Sequence, residues 1–462
     1  MTAEEVIAGL FERARAAMRA FANDDQAVID EAVTALAWSL GEPGRAREMA
    51  ELAVRTTGLG TVESKIIKNQ RKTFGTLRDL MRVRSTGIIG RDEARGLVKY
   101  AKPVGVVAAI TPSTNPSATP VNKAMMAVKG GNAVIIAPSP VAFEATSATV
   151  ENMRRELAKT GAPEDLVQIV PRPVDRERTT ALMRAADLVV CTGSQNNVRG
   201  AYASGTPAIG VGAGNVPVII DATADLDDAA ENIAASKCFD NSTSCSSENS
   251  LVILDGIYDA AIAALQRAGG YLADGAERER VIDRLWEDGK LARDVIARDF
   301  SVLADRFELA RSDARFVMVE ESGIGPDYPL SGEKLSLVLT IYRARDFADA
   351  KRIVMAILDH QGKGHSIGIH TADMDHAREL AEDVDVVRVL VNQAHTFANG
   401  GGFDSGLPFT LSMGCGTWGG NSISENLSWH HFVNITHLVT TIPEDKPSEE
   451  ELFGVYWEKH GR

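Results

Sequence analysis

Cys245 stands in the run 239–249, Phe-Asp-Asn-Ser-Thr-Ser-Cys-Ser-Ser-Glu-Asn, just past the midpoint of a 462-residue chain. A thiol among small hydroxyl and amide side chains suits covalent catalysis. Small neighbours leave room for a substrate, and polar ones can hydrogen-bond a thiolate. On this run alone, a small buried hydrophobe is the commoner use of a cysteine. The other three cysteines, Cys191, Cys238 and Cys415, make no CxxC pair, so a reduced cytoplasmic protein is expected. His430-His431 and His437 lack acidic or thiol companions at metal spacing, and no metal site is expected.

Other residues with chemical potential lie in loops that directly follow apolar runs. These are Thr111-Pro112-Ser113-Thr114-Asn115-Pro116, Pro138-Ser139-Pro140 and Thr192-Gly193-Ser194-Gln195. The last of them opens a helix, where free N–H groups can take a phosphate; plain helix capping by Ser194 accounts for it equally well. Glu333 precedes an apolar run, and His365 sits in the glycine loop Gly362-Lys363-Gly364-His365-Ser366. A loop histidine can serve as a base near neutral pH, or be solvated or structurally bonded.

The elements that must position these residues follow from pattern. Val104–Ile110, Ala133–Ala137, Val167–Val170 and Leu188–Cys191 are short unbroken apolar runs separated by helical stretches. That is the pattern of parallel strands buried on both faces, hence a doubly wound α/β sheet. Such sheets bind ligands at the carboxyl ends of their strands, where the three loops lie. Gly210-Val211-Gly212-Ala213-Gly214-Asn215 precedes a strand and does not link a strand to a helix. It reads as a close crossing between domains and not as a dinucleotide fingerprint. Further α/β alternation follows Cys245. Residues 3 to about 83 read as helices serving as packing and outer shell, and 85–101 as a hairpin arm. In the 414–421 segment, Trp418 reads as buried. The tail from Pro443 carries Phe453, Tyr456 and Trp457, as a small docking helix would.

Size argues for two domains. A formal charge of -14, with no Lys/Arg-rich run, excludes a nucleic-acid partner. No apolar run approaches the roughly 18 residues of a membrane span, so no membrane association is expected.

Taken together, these words resemble the aldehyde dehydrogenase superfamily, and more narrowly its CoA-acylating branch. They are Ile110–Pro116, Cys191–Ser194, Pro207–Asn215, the Cys245 run, Glu333–Ser336, Gly364–Ser366 and Gly414–Asn426, spread over about residues 100 to 435. The resemblance implies two doubly wound α/β domains plus a small oligomerisation hairpin. Residues 1–212 would be the dinucleotide-binding domain, with its arm at about 85–101. Residues 213–412 would be the catalytic thiol domain, and 413–462 a return to the cofactor domain and a tail.

The resemblance also implies roles. Cys245 attacks the aldehyde as a thiolate, Asn115 and the Cys245 N–H form the oxyanion hole, and an acyl-cysteine thioester follows. Ser194 touches the pyrophosphate and Glu333 the nicotinamide ribose, with Thr111, Pro112, Pro138, Ser139, Gly193 and Gly212 against the cofactor. His365 assists thiol deprotonation. Hydrolytic members carry a glutamate where Val211 stands here. Without that base, CoA is the expected acyl acceptor. The lysine and glutamate of the hydrolytic adenosine-ribose site appear as Ala137 and Pro140. With no arginine or lysine there, the choice leans to NAD, with NADP as the alternative. The hydroxyls around Cys245 suit a small polar or anionic aldehyde. The wording there and in the tail is most similar to members acting on sulfoacetaldehyde. Acetaldehyde, propionaldehyde and succinic semialdehyde are alternatives, as are a hydrolytic enzyme and a catalytically silent scaffold. A homodimer or homotetramer is expected.

Overall fold

The computed structural model describes residues 1–22 and 25–462. The chain opens with four helices, Ala3–Phe21, Gln26–Gly41, Pro43–Thr57 and Val62–Met81. Caps set their limits. Thr2 and Glu5 form a capping box on the first, and Gly58 closes the third at φ 67°, a conformation open to glycine without steric cost.

An antiparallel arm follows, with β1 (Gly87–Asp92) and β2 (Leu97–Pro103). Five parallel strands come next: β3 (Val106–Thr111), β4 (Ala133–Pro138), β5 (Val167–Ile169), β6 (Leu188–Thr192) and β7 (Ala208–Val211). They are ordered β5-β4-β3-β6-β7. Every residue of β3 and β4 is buried, because helices cover both faces of the sheet. Each such Val or Ile contributes about 1.5–3 kcal/mol of burial.

The second sheet is also parallel. It takes β8 (Val216–Ile220), β9 (Glu248–Leu254) and β10 (Gly270–Leu272); then, past the small hairpin β11 (Trp286–Glu287) and β12 (Lys290–Leu291), β13 (Phe316–Glu320), β14 (Val338–Ala344), β15 (Ile367–His370) and β16 (Val389–Val391). Its order is β10-β13-β14-β9-β8-β15-β16. The chain passes from one sheet to the other over residues 212–215, between β7 and β8, where the glycine cluster was read as a crossing.

The last strand, β17 (Val433–Val439), pairs antiparallel with β2 over seven residues. The arm is therefore a three-stranded sheet completed by the chain's own C-terminal segment, a strand that sequence reading did not foresee. Beyond its first residue β17 is exposed. Ile435, Leu438 and Val439 are open, as are Leu452, Phe453, Val455 and Tyr456 of the final helix Glu449–His460. No helix among the described residues is long and apolar enough to cross a membrane.

Candidate active site

In the first sheet the strand order reverses at β3 and β6, which lie side by side with one neighbour group on each flank. That switch point opens a crevice at the carboxyl ends of the strands. Lys123, fully buried, ties the two strand ends there by donating to the Ile110 and Val190 carbonyls at 2.7 and 2.9 Å. A cavity of about 380 Å³ occupies the crevice. It is lined by Thr111, Pro112 and Asn115 after β3, Ser139 after β4, Gly193 and Ser194 after β6, and Gly212 after β7. From the second domain it receives Cys245 and Glu333. Pro138 lies in an adjoining cavity of about 830 Å³ that shares Thr111 and Ser139. Residues from four separate loops thus meet around one thiol.

Cys245 is half-buried, and its turn is backbone-strained. Asp240, Asn241 and Ser242 have φ of 52°, 51° and 63°, a left-handed run that non-glycine residues adopt at a cost of about 1–3 kcal/mol each. What holds the strain is Asp240, fully buried. Its Oδ1 accepts from the Thr61 N–H at 3.0 Å. Its Oδ2 accepts from Lys65 at 3.0 Å, Lys68 at 2.6 Å and Thr243 Oγ1 at 2.8 Å. Gly60 makes this contact possible, since a Cβ there would lie 1.9 Å from Asp240 Oδ1. Burial alone would raise the Asp240 carboxyl; Lys68 and Lys65 outweigh it and hold it below the ordinary range.

Lys68 also donates to Asn115 Oδ1 at 2.8 Å. An ammonium only donates, so the atom facing it is the amide oxygen; Asn115 Nδ2 makes a long 3.4 Å bond to Thr114 Oγ1 and keeps its second N–H for the cavity. The N-terminal helices are therefore not mere outer shell. The helix Val62–Met81 places two buried lysines behind the nucleophile turn. Their signal in sequence was Lys65 and Lys68 at i, i+3 on a face otherwise bound for burial.

Burial, and after it Glu333 and Cys415, push the Cys245 thiol up to about 12. The resting group is a thiol, not the thiolate expected from its polar neighbours. Most of those neighbours are occupied: Ser242 Oγ donates to Ser247 Oγ at 2.7 Å, Asn399 Nδ2 donates to Ser246 Oγ at 2.8 Å, and Thr243 serves Asp240. Ser244, which lines the cavity beside Cys245, only accepts, from the Ser246 N–H at 3.2 Å, and keeps its hydroxyl hydrogen.

Among the described residues lining the cavity, Glu333 is the sole carboxyl. Its Oε1 accepts from the Gly214 N–H at 3.2 Å, and burial raises it to about 8. It is protonated at neutral pH. Val211, in the slot of a hydrolytic base, is a buried end of β7.

His365 is 1% exposed, with Nε2 buried and unpartnered. That nitrogen and the Cys245 carbonyl flank Gly214: a Cβ on Gly214 would lie 3.1 Å from the one and 2.2 Å from the other. His365 Nδ1 bonds Ser366 Oγ at 2.7 Å, and Ser366 Oγ bonds His395 Nε2 at 2.9 Å. Burial, with Arg388 adding to it, depresses His365 to about 3, so the ring is neutral. Arg388 in turn donates to the His365 and Gly414 carbonyls at 3.0 and 2.8 Å. It thereby couples the Gly414–Asn426 segment to this loop.

Ser194 caps its helix by accepting from the Asn197 N–H at 3.3 Å, and it also lines the cavity. Three further expectations change. Trp418 is 47% exposed and lines a small cleft beside Cys415. Glu425, remote from expectation, lies 3.0 and 3.2 Å from the Nε2 atoms of His430 and His431. The turn of the Glu425–Trp429 segment supplies the acid that linear spacing hid. Finally, Arg176 and Arg199, far from Pro138 in sequence, line its cavity. The surroundings of Pro138 are not bare of cations.

The features of this crevice suit a dinucleotide. Thr111 Oγ1 is buried there without a partner, and a Cβ on Gly212 would meet Gln195 Nε2 at 2.4 Å.

Comparison with known proteins agrees with this geometry. The model of the family described as "Aldehyde dehydrogenase family" matches residues 1–280. The chain is 52% identical to a sulfoacetaldehyde dehydrogenase (acylating) of Cupriavidus necator, over all of this chain and 94% of that protein. The crystal structure of an acetylating aldehyde dehydrogenase from Geobacillus thermoglucosidasius superimposes with a TM-score of 0.93 at 32% identity, covering 96% of this chain and 98% of that one. A Rhodopseudomonas palustris propionaldehyde dehydrogenase with bound propionyl-CoA matches at 0.85 and 25% identity, covering 94% of each chain. With its thiol, amide and dinucleotide crevice in one place, the chain belongs to the aldehyde dehydrogenase family, and within it to the CoA-acylating dehydrogenases.

Proposed function

We propose that this protein oxidises a small anionic aldehyde, sulfoacetaldehyde, to its acyl-CoA through a thioester on Cys245. The observation that carries the reading is the pairing of an Asn115 amide turned toward the Cys245 cavity with the absence, among the residues lining it, of an ionised carboxylate. The Cys245 thiol gives up its proton to solvent as Sγ bonds the aldehyde carbon. The developing oxyanion is met by Asn115 Nδ2 and the Cys245 N–H, and loss of that carbon's hydride leaves the thioester. A bound nicotinamide dinucleotide supplies the hydride acceptor for this oxidation. Thr111, Pro112, Pro138, Ser139, Gly193, Ser194, Gly212 and Glu333 are the residues that would hold it. This assigns the dinucleotide to the unit 1–212 and the thiol to 213–412, with 413–462 returning to the first unit; Leu427 and Phe432 join the core of that unit.

Without a carboxylate base, water is a poor acceptor, whereas a thiol needs far less help. His365, whose burial makes it a weak base, offers its unpartnered Nε2 to accept that thiol's hydrogen bond as the proton leaves. When Ser366 Oγ–H donates to His395 Nε2, His365 donates Nδ1–H to Ser366 and keeps a lone pair on Nε2. Transfer of the acyl group to CoA breaks the Cys245 thioester and returns the thiol. The chemistry named for the Cupriavidus relative, at 52% identity over the full chain, supports sulfoacetaldehyde.

The test follows reduced dinucleotide from sulfoacetaldehyde, acetaldehyde, propionaldehyde and succinic semialdehyde, each with and without CoA. Turnover that requires CoA is the expected result. Equal turnover without CoA would overturn the acyl-transfer reading.

Arg176 and Arg199 refine the choice of dinucleotide. The Asp175 carboxylate beside them already accepts from the Arg178 N–H at 2.9 Å, whereas the two guanidinium groups suit a 2′-phosphate. Arg199→Ala is expected to raise the KM for NADP about 10-fold or more while moving that for NAD little. Initial rates with both dinucleotides check this, and an unmoved NADP KM would count against the grip.

The arm supports self-association. Its exposed edge residues Ile435, Leu438 and Val439 form an apolar strip on β17, suited to a second copy in a homodimer or homotetramer.

A further inference from the structure

An anionic aldehyde needs a cation near the reacting carbon; around Cys245, in residues 242–247, there are besides the thiol only hydroxyls, of which Ser242 is bonded to Ser247, Thr243 to Asp240 and Ser246 to Asn399. On one side of the thiol lies the dinucleotide crevice, lined by Thr111, Ser194 and Glu333. The helix Val62–Met81 backs the nucleophile turn and reaches Asn115 through Lys68. Four cations lie on that part of the helix: Lys65, Lys68, Arg71 and Lys72. Three are committed. Lys65 and Lys68 share Asp240, and Lys72 donates to the Gly400 carbonyl at 2.7 Å. Burial takes Lys72 down to about 7, so it carries only part of its charge.

Arg71 is different. Its guanidinium sits over the rings of Phe397, Phe403 and Phe409 at 5.5–5.6 Å. Its Nε is buried without a hydrogen-bond partner, and no carboxylate among the described residues pairs with it. An arginine does not shed its proton in a protein. Aromatic rings hold the flat faces of a guanidinium and leave its in-plane N–H donors for a bidentate anion.

The cage is linked to the nucleophile turn through Phe239. Phe397 packs on Phe239 with ring centroids 4.6 Å apart, and Phe239 immediately precedes Asp240. Lys68, which holds Asn115, lies 5.5 Å from the Phe239 centroid. Lys68 and Arg71 are three residues apart on one helix face, a rise of about 4.5 Å, which is the reach of a short carbon chain. Phe403 is 53% exposed, so the cage opens to solvent.

We infer that Arg71, in its cage of Phe397, Phe403 and Phe409, is the residue that receives the anionic tail of the aldehyde and sets specificity. This rests on the proposed reaction and deepens it. A purely structural Arg71 would instead serve to pin the loop 397–409, a task Arg78 already performs against Phe403 and Phe409 at 5.3 and 4.9 Å.

The experiment compares kcat/KM of wild type, Arg71→Met and Arg71→Lys for sulfoacetaldehyde, succinic semialdehyde and propionaldehyde, all with CoA. Isethionate, an unreactive sulfonate, is used in parallel as an inhibitor of propionaldehyde oxidation, and thermal melting reports folding. For Arg71→Met the expected result is a fall of about 100-fold with sulfoacetaldehyde. Propionaldehyde should change less than about 3-fold, and isethionate inhibition should be lost. Arg71→Lys, keeping the charge without the fork, should fall between. A parallel fall with propionaldehyde, or no fall with either, overturns the inference. Wild type that uses propionaldehyde with CoA but no anionic aldehyde overturns it too, while leaving acyl transfer to CoA intact. Loss of the CoA requirement itself would instead be failure of the proposed reaction. If Arg71→Met fails to fold, a shift in sulfoacetaldehyde preference in Arg71→Lys decides the question.

Discussion

Cys245→Ser is expected to lower CoA-dependent aldehyde oxidation by about 10⁴-fold or more, the scale on which removing a catalytic nucleophile acts. The variant should still fold and bind dinucleotide, because the turn is held by Asp240 and not by the thiol. Serine keeps the shape but offers a hydroxyl far less nucleophilic than sulfur, and no neighbouring base compensates. Wild type should show a complementary signature. Mixed rapidly with aldehyde and dinucleotide but no CoA, it should release up to one equivalent of reduced dinucleotide per Cys245 and then stall. Val211 and the protonated Glu333 leave the thioester without a carboxylate to direct water at it. Addition of CoA should restart turnover. A steady rate without CoA would show that another group activates water.

The second large effect concerns a residue with no contact to substrate. Lys68→Met is expected to lower kcat about 30-fold, with Asn115→Ala costing about 100-fold or more, as for an oxyanion donor. Lys68 holds the Asn115 amide oxygen at 2.8 Å, and without it either end of the amide can face the cavity. The double variant should be scarcely worse than Asn115→Ala alone, since both changes remove one function. A fully multiplicative loss would mean that Lys68 acts by another route. Melting temperature separates the remaining contribution. Removing one of two ammonium groups from the fully buried Asp240 leaves its charge less compensated, so stability should also fall.

Much of this was legible from residue order. Apolar runs of four to seven residues marked β3, β4 and β6, because a strand buried on both faces has no polar side to disguise it. Cys245 and Asn115 were legible as a pair through resemblance, and the structure brings both into one cavity. What escaped depends on contacts between distant segments. Lys65 and Lys68 lay within helices read only as packing and outer shell, because their partner, Asp240, is remote. Arg176 and Arg199 were invisible beside Pro138 for the same reason. β17 lacks the alternation of a half-buried strand: beyond Val433 its side chains are exposed on both faces. Sequence also does not say that Ser242 faces Ser247, or that Ser246 faces Asn399.

The tie between Asp240 and the helix Val62–Met81 bears on the order in which the molecule is made. Lys68 leaves the ribosome 172 residues before its carboxylate partner. At about 5–20 residues per second this is roughly 9–34 s. The strands of the first sheet, all within residues 106–211, are complete in that interval. Lys65 and Lys68 meanwhile have no Asp240 and must stay hydrated, since unpaired ammonium groups resist burial. The surface that will back the nucleophile thus remains wet until the 239–249 segment docks against it. Catalytic competence is among the last properties this chain acquires, although the helix that secures it is among the first segments synthesised.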